Sequence, residues 1–140
     1  MSPVWWGITD IIPLAERCEG WEVSIHGSEG LIYEERDGWT LMINVIPDAT
    51  LEEEVWVSIA TLLLAAHGEL ACGLCHFQQK WWLNRRYRHV HESIAEKNVI
   101  TQLSHSVTQQ HSLAGFIAKC ASFMKRNAST PHSLVLSVLK

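Results

Sequence analysis

A central segment of the chain, residues 55–66, is apolar almost all the way round a helix. Thr50 and Glu53 form a capping-box pattern, which predicts a helix from Thr50 to about His67, and Gly68 ends it. A helix without a polar face must be buried on every side, and a chain of 140 residues offers little protein to wrap it. We therefore expect a second copy of the chain to cover this helix in a homodimer. The predicted interface residues are Val55, Trp56, Ile59, Leu62 and Leu63.

Alternating apolar and polar residues before this helix predict three strands, over residues 21–26, 31–36 and 39–46. Residues 27–30 are predicted to form a turn, and Asp37-Gly38 is a hairpin signal. The third strand is apolar on both faces, which is typical of a strand covered on both sides. A second hairpin is predicted from residues 74–78 and 81–88.

Helical spacing of apolar residues predicts two further helices, over residues 8–18 and 93–126. Pro13 either kinks the first of these or marks its start. The predicted fold is α+β: helix, three antiparallel strands, helix, two strands and a long C-terminal helix, as a homodimer. Residues 1–126 form one domain, and residues 127–140 form a tail that is either loose or an added strand.

The composition, 47% hydrophobic and 19% charged, is that of a small globular protein. A formal charge of -4, with one short basic cluster at Arg85, Arg86 and Arg88, argues against nucleic-acid binding. Because we find no signal peptide and no membrane-spanning stretch, we expect a cytoplasmic protein with reduced cysteines that binds no membrane. Two or three of the seven tryptophans are expected to be exposed and to bind a partner.

The string Cys72-Gly-Leu-Cys75-His76 matches the C-x-x-C-H pattern of covalent haem attachment. The same residues, with His67, could hold zinc, although a second ligand pair is missing. Both cysteines could equally pack as small apolar residues. A metal- or haem-binding sensor is therefore the alternative function, whereas our main interpretation includes no cofactor. The motifs of acyl transfer, nucleotide hydrolysis and dinucleotide binding are missing, and we expect no enzyme.

The element order, the segment GWTLMINVIPD at residues 38–48, the apolar helix after it and the long C-terminal helix resemble the class I type III secretion chaperones, the Tir-chaperone-like family. The resemblance covers residues 8–126 as a pattern of elements. It implies a homodimer built around the middle helix, in the bacterial cytoplasm. It also implies binding of the N-terminal region of secreted effector proteins in extended form, and their delivery to the secretion ATPase.

Under this resemblance, cargo contacts are expected from the first helix and the strands. An extended cargo can add main-chain hydrogen bonds at a sheet edge and place alternate side chains in apolar pockets. The opposing interpretation is that the sheet face packs under the long C-terminal helix. The predicted cargo-binding residues are Trp5, Trp6, Ile8, Leu31, Tyr33, Trp39, Leu41 and Ile43.

Overall fold

The computed structural model describes residues 4–47, 49–68, 71–88 and 96–126, with side chains for all of these except residues 4, 96, 97 and 120–126. A short 3-10 helix (Val4–Gly7) is followed by strands β1 (Ile11–Arg17), β2 (Gly20–Ile25), β3 (Ser28–Glu35) and β4 (Gly38–Val45). Helix α1 (Glu53–Ala66), strands β5 (Cys72–Phe77) and β6 (Lys80–Arg88) and helix α2 (Glu96–Arg126) complete the order. The predicted α+β class is confirmed.

The strands of the described residues form one antiparallel six-stranded sheet in the order β1-β2-β3-β4-β6-β5. Tight turns connect the first four strands. At the β2–β3 turn His26 and Gly27 have φ values of 48° and 84°, the positive values that a type I′ turn requires. Helix α1 lies in the connection after β4, so the chain returns at the outer position as β5 before β6 pairs with β4. Strands β1 and β5 are therefore the two edge strands of the described sheet.

Both helices pack on one face of the sheet and enclose the main core. Alternate residues of each strand point to this face, as the period of two requires. In the centre of the core the rings of Trp39 on β4 and Tyr87 on β6 stack, with centroids 4.3 Å apart. Helix α1 contributes Trp56 and Leu63 to the same core, and helix α2 contributes Ile117.

Gln110 of α2 is fully buried and joins the helix to the sheet by three hydrogen bonds. Its Nε2 donates to the backbone oxygens of Leu41, at 2.8 Å, and Leu83, at 3.0 Å. The hydroxyl of Tyr87 donates to its Oε1 at 2.8 Å. Burial raises the pKa of Tyr87, so this hydroxyl stays protonated and remains a donor. Every hydrogen-bonding atom of the Gln110 amide is therefore used, as a buried polar group requires.

The opposite face of the sheet has a second, smaller apolar cluster that no described helix covers. Leu31, Met42 and Trp82 are buried in it. The rings of Tyr33 and Phe77 meet edge to face above two intervening strands, with centroids 6.2 Å apart. Trp82 Nε1 donates to the backbone oxygen of Phe77 at 2.8 Å. The large side chains of this face thus bury one another, because no described helix covers them.

The predicted first helix over residues 8–18 is wrong, because residues 11–17 form strand β1 paired with β2. Pro13 cannot lie inside a helix without removing a hydrogen bond, whereas an edge strand tolerates it. The register shifts between Pro13 and Ala15, so Leu14 is the extra residue of a β-bulge. The bulge interrupts the strict alternation by which a strand is recognised in sequence.

Turn positions also differ slightly from their predictions. The turn expected over residues 27–30 is formed by residues 26–27, and β3 begins at Ser28. The turn expected at Asp37-Gly38 lies one residue earlier, because Gly38 pairs with Glu35 in the ladder. Both faces of β4 are covered as its sequence predicts, although Ile46, just beyond the strand, is 74% exposed.

Helix boundaries differ as well. Helix α1 begins at Glu53 with Glu52 as its N-cap, so the predicted Thr50 cap is wrong, and the Glu52 side chain makes no capping hydrogen bond. Helix α2 is described from Glu96. Residues 93–95 of the predicted helix and the predicted tail at residues 127–140 lie outside the described residues. No helix in the described part of the chain is long and apolar enough to span a membrane.

Candidate functional site

The predicted cargo-binding residues fall into three groups. Trp6 is 45% exposed and lies at the surface. Leu31 and Tyr33 belong to the small cluster on the face opposite the helices. The other five residues are buried in the main core under the helices and are not available to a partner: Trp5, Ile8, Trp39, Leu41 and Ile43. The opposing interpretation, that this sheet face packs under the C-terminal helix, describes Trp39, Leu41 and Ile43, whereas Trp5 and Ile8 precede the sheet and are buried against the same core.

Three tryptophans form an edge-to-face cluster at the β1–β2 end of the sheet. The ring centroids of Trp5, Trp6 and Trp21 lie 5.5–6.0 Å apart in every pairing. Trp5 is fully buried, and its Nε1 donates to Glu34 Oε1 at 3.0 Å. Trp21 is half-buried, whereas Trp6 lies outermost. Because its neighbours fix it in place, Trp6 offers a rigid apolar ring at little further entropic cost.

Beside this cluster, strand β1 presents exposed apolar side chains along an edge that pairs with no other strand of the described residues. Ile12 is 55% exposed and Leu14 is 65% exposed. We term Ile12, Leu14 and Trp6 the β1-edge surface. Trp6 lies with Trp21 on the helix side of the sheet, whereas Ile12, paired opposite Ser24, points to the other face, so these side chains flank the β1 edge on both sides. Sequence reasoning missed Ile12 and Leu14, since a helix was predicted here. The signal that could have revealed them is Pro13 next to two adjacent isoleucines, a pattern better suited to an edge strand than to a helix.

Helix α1 divides the predicted interface residues between its two sides. Trp56, Ile59 and Leu63 are buried in the chain's own core. Val55 and Leu62 are 44% and 42% exposed. The chain therefore covers more of this helix than its sequence predicts, because the sheet and helix α2 together bury one side of it. The helix packs against edge strand β5, whose sequence CGLCHF contains no Asp, Glu, Lys or Arg.

Strand β5 also determines the geometry of the Cys72-x-x-Cys75-His76 string. In a strand, residues three apart point to opposite faces. Cys72 packs against the main core, while Cys75 packs against the small cluster on the other face. His76 lies beside Trp81, with ring centroids 4.8 Å apart. Burial raises the pKa of the Cys72 thiol, and Arg85 nearby offsets this only in part.

This arrangement does not suit haem or zinc, either of which needs both thiols on one side. Among the described residues no three His, Cys, Asp or Glu side chains are grouped closely enough to hold a metal ion.

The basic residues of β6 do not form one patch. Arg85 faces the helices, 5.2 Å from the centroid of the Tyr87 ring. Arg86 lies on the opposite face, where its guanidinium is 3.0 Å from the Glu35 carboxylate. The alternation of the strand therefore divides the basic cluster seen in the sequence.

Comparison of the chain with protein-family models, with curated proteins and with solved structures gave no match.

Proposed function

We propose that this protein is a chaperone of a type III secretion system, which binds the N-terminal region of secreted effectors in extended form as a homodimer. The proposal rests on the part of the resembled element order that runs from β2 to α2, since the expected first helix is strand β1, and on one structural observation, the β1-edge surface. Delivery of effectors to the secretion ATPase in the bacterial cytoplasm belongs to the same proposal.

The β1-edge surface has the two properties that capture of an extended segment needs. Strand β1 has seven residues, so its edge is about 23 Å long and can pair with the backbone of a similar stretch of cargo. Trp6, Ile12 and Leu14 provide exposed apolar contacts beside that edge. Main-chain pairing gives affinity without sequence specificity, and the apolar contacts select the cargo.

Pro13 and the bulge at Leu14 restrict this pairing. Proline has no N–H to donate, and the bulge twists the edge away from a flat ladder. Natural sheets use both devices to prevent indiscriminate edge-to-edge aggregation. We expect cargo to pair with β1 over a short stretch and to derive much of its affinity from Trp6.

The dimer interface is proposed at the other edge of the sheet. Val55 and Leu62 are the exposed apolar residues of α1, which packs against the uncharged edge strand β5. The strand order keeps this surface away from β1. Each copy in the dimer could therefore bind cargo at its outer edge.

A binding experiment with matched variants tests the cargo surface. An effector's N-terminal segment is co-expressed with the chain, and its affinity is then measured by titration. The charged variant Ile12→Asp should lose at least about tenfold in affinity, since it buries a carboxylate against apolar cargo. Ile46→Asp is the control, because Ile46 is 74% exposed and lies away from β1. Equal affinities of both variants and the native chain would refute the cargo surface.

Light scattering tests the dimer. The native chain, of 15.9 kDa, should elute at twice that mass. Leu62→Glu should give a folded monomer with unchanged circular dichroism, whereas Thr61→Glu on the same helix should remain a dimer. A native monomer, or a Leu62→Glu dimer, would contradict the proposed interface.

A further inference from the structure

A polar network joins helix α2 to the first strands at the end of the sheet that bears the β2–β3 turn. His26 Nε2 lies 3.1 Å from Asp10 Oδ1. The hydroxyl of Ser104, on α2, donates to the other oxygen of the same carboxylate. Ser28 Oγ lies 3.0 Å from Nε2 of His111, about two helical turns beyond Ser104 on α2. The two imidazole rings are tilted at 51° to each other, with centroids 5.1 Å apart.

The network connects three separate parts of the chain. Asp10 immediately precedes β1, His26 lies in the β2–β3 turn and Ser28 begins β3. Ser104 and His111 lie on one side of α2. Its groups are only partly buried, so protons reach them from solvent. The main core lies further in, where Gln110 joins the same helix to β4 and β6. The network can thus break without opening the core.

The charge balance of the network depends on pH. Asp10 supplies one negative charge, which can compensate one imidazolium but not two. Among the described residues Asp10 is the only charged group in contact with His26, and His26 is the only titratable group acting on His111. Glu29, next to Ser28 in sequence, points to the opposite face and pairs with Lys80. Burial, and then His26, lower the pKa of His111.

We infer that His26 and His111 form an acid-sensitive latch, which holds α2 against the first three strands at neutral pH and releases that contact when both imidazoles are protonated. Ser28 Oγ can still accept a hydrogen bond from a protonated His111, so the release comes from repulsion between the two imidazolium charges. Two positive charges about 5 Å apart repel each other, and the repulsion favours the open contact by on the order of tenfold or more.

Hydrogen exchange measured from pH 7.5 to 5.0 tests the latch in the full chain. Protection factors, which correct for the intrinsic effect of pH on exchange, are compared for amides near Ser104 and His111. The native chain should lose protection there by on the order of tenfold on acidification, while amides of β4 and β6 keep theirs.

The variant His111→Gln should abolish this loss. Its amide can still bond to Ser28 near the position of Nε2 but cannot gain a charge. His105→Gln is the matched control: it removes an exposed histidine of the same helix that makes no contact with the network, and should behave like the native chain. The latch would be overturned if protection of these amides in the native chain did not change with pH. It would also be overturned if the His111→Gln variant lost as much protection on acidification as the native chain.

Discussion

The buried amide of Gln110 gives the sharpest prediction about how helix α2 is held on the sheet. Replacing it by leucine keeps nearly the same volume but removes three hydrogen bonds, two to backbone oxygens and one from Tyr87. Each such bond contributes about 1 kcal/mol net, and the Tyr87 hydroxyl is left buried without a partner, which costs more. Gln110→Leu should therefore lower the free energy of unfolding by about 3 kcal/mol.

A double-mutant cycle separates the hydrogen-bond contribution from packing. Tyr87→Phe alone leaves the Gln110 Oε1 without its donor and should cost about 1–2 kcal/mol. In the double variant neither partner is left unsatisfied, so its loss should be smaller than the sum of the two single losses by about 1–2 kcal/mol.

Urea unfolding followed by tryptophan fluorescence measures these losses, at one fixed chain concentration because dimerisation would add to stability. Gln109→Leu is the matched control, since Gln109 is the neighbouring residue of the same type and is exposed. It should change the free energy of unfolding by less than about 0.5 kcal/mol. The reasoning is refuted if Gln110→Leu unfolds like the native chain or if the two single losses simply add.

Three further predictions concern turns, close contacts and pH. Gln78 and Gln79 have φ values of 54° and 64° in the β5–β6 turn, so replacing them by Asn-Gly should raise stability by about 1–2 kcal/mol, seen as a higher Tm. Gly38→Ala would place a Cβ 2.0 Å from the backbone oxygen of Tyr87 and should cost about 3 kcal/mol in urea unfolding. Because the pKa of His111 is lowered in the folded state, the unfolded chain binds more protons; stability should fall as pH drops below the usual histidine value of 6.5, and this slope should be shallower in His111→Gln.

Much of the fold follows from patterns that are visible in the sequence. Strand β2 alternates strictly, and the apolar residues on both faces of β4 indicate that both faces are buried, one by the helices and the other within the small cluster that includes Met42. The buried stripe of α2, including Val107 and Ile117, was likewise predictable from helical spacing. Each of these elements is formed by consecutive residues, so its periodicity can be read directly from the sequence.

The edge of the sheet was harder to predict because its signals conflict. Residues 8, 11, 12, 15 and 18 have helical spacing, and the bulge at Leu14 removes the alternation that would have indicated β1. Whether Trp39 and Leu41 face solvent or a helix depends on where α2 packs, which is a long-range contact. The partnership of His26 with His111 also joins distant parts of the chain and has no sequence motif.

Hydrogen exchange of strand β1, with and without a bound effector segment, tests the proposed function most directly. If cargo pairs with the β1 edge, the amides of residues 11–17 should become more protected from hydrogen exchange. Trp6 should become buried, which would change its fluorescence. Protection confined to the helices or to β5, with β1 and Trp6 unchanged, would contradict the proposal.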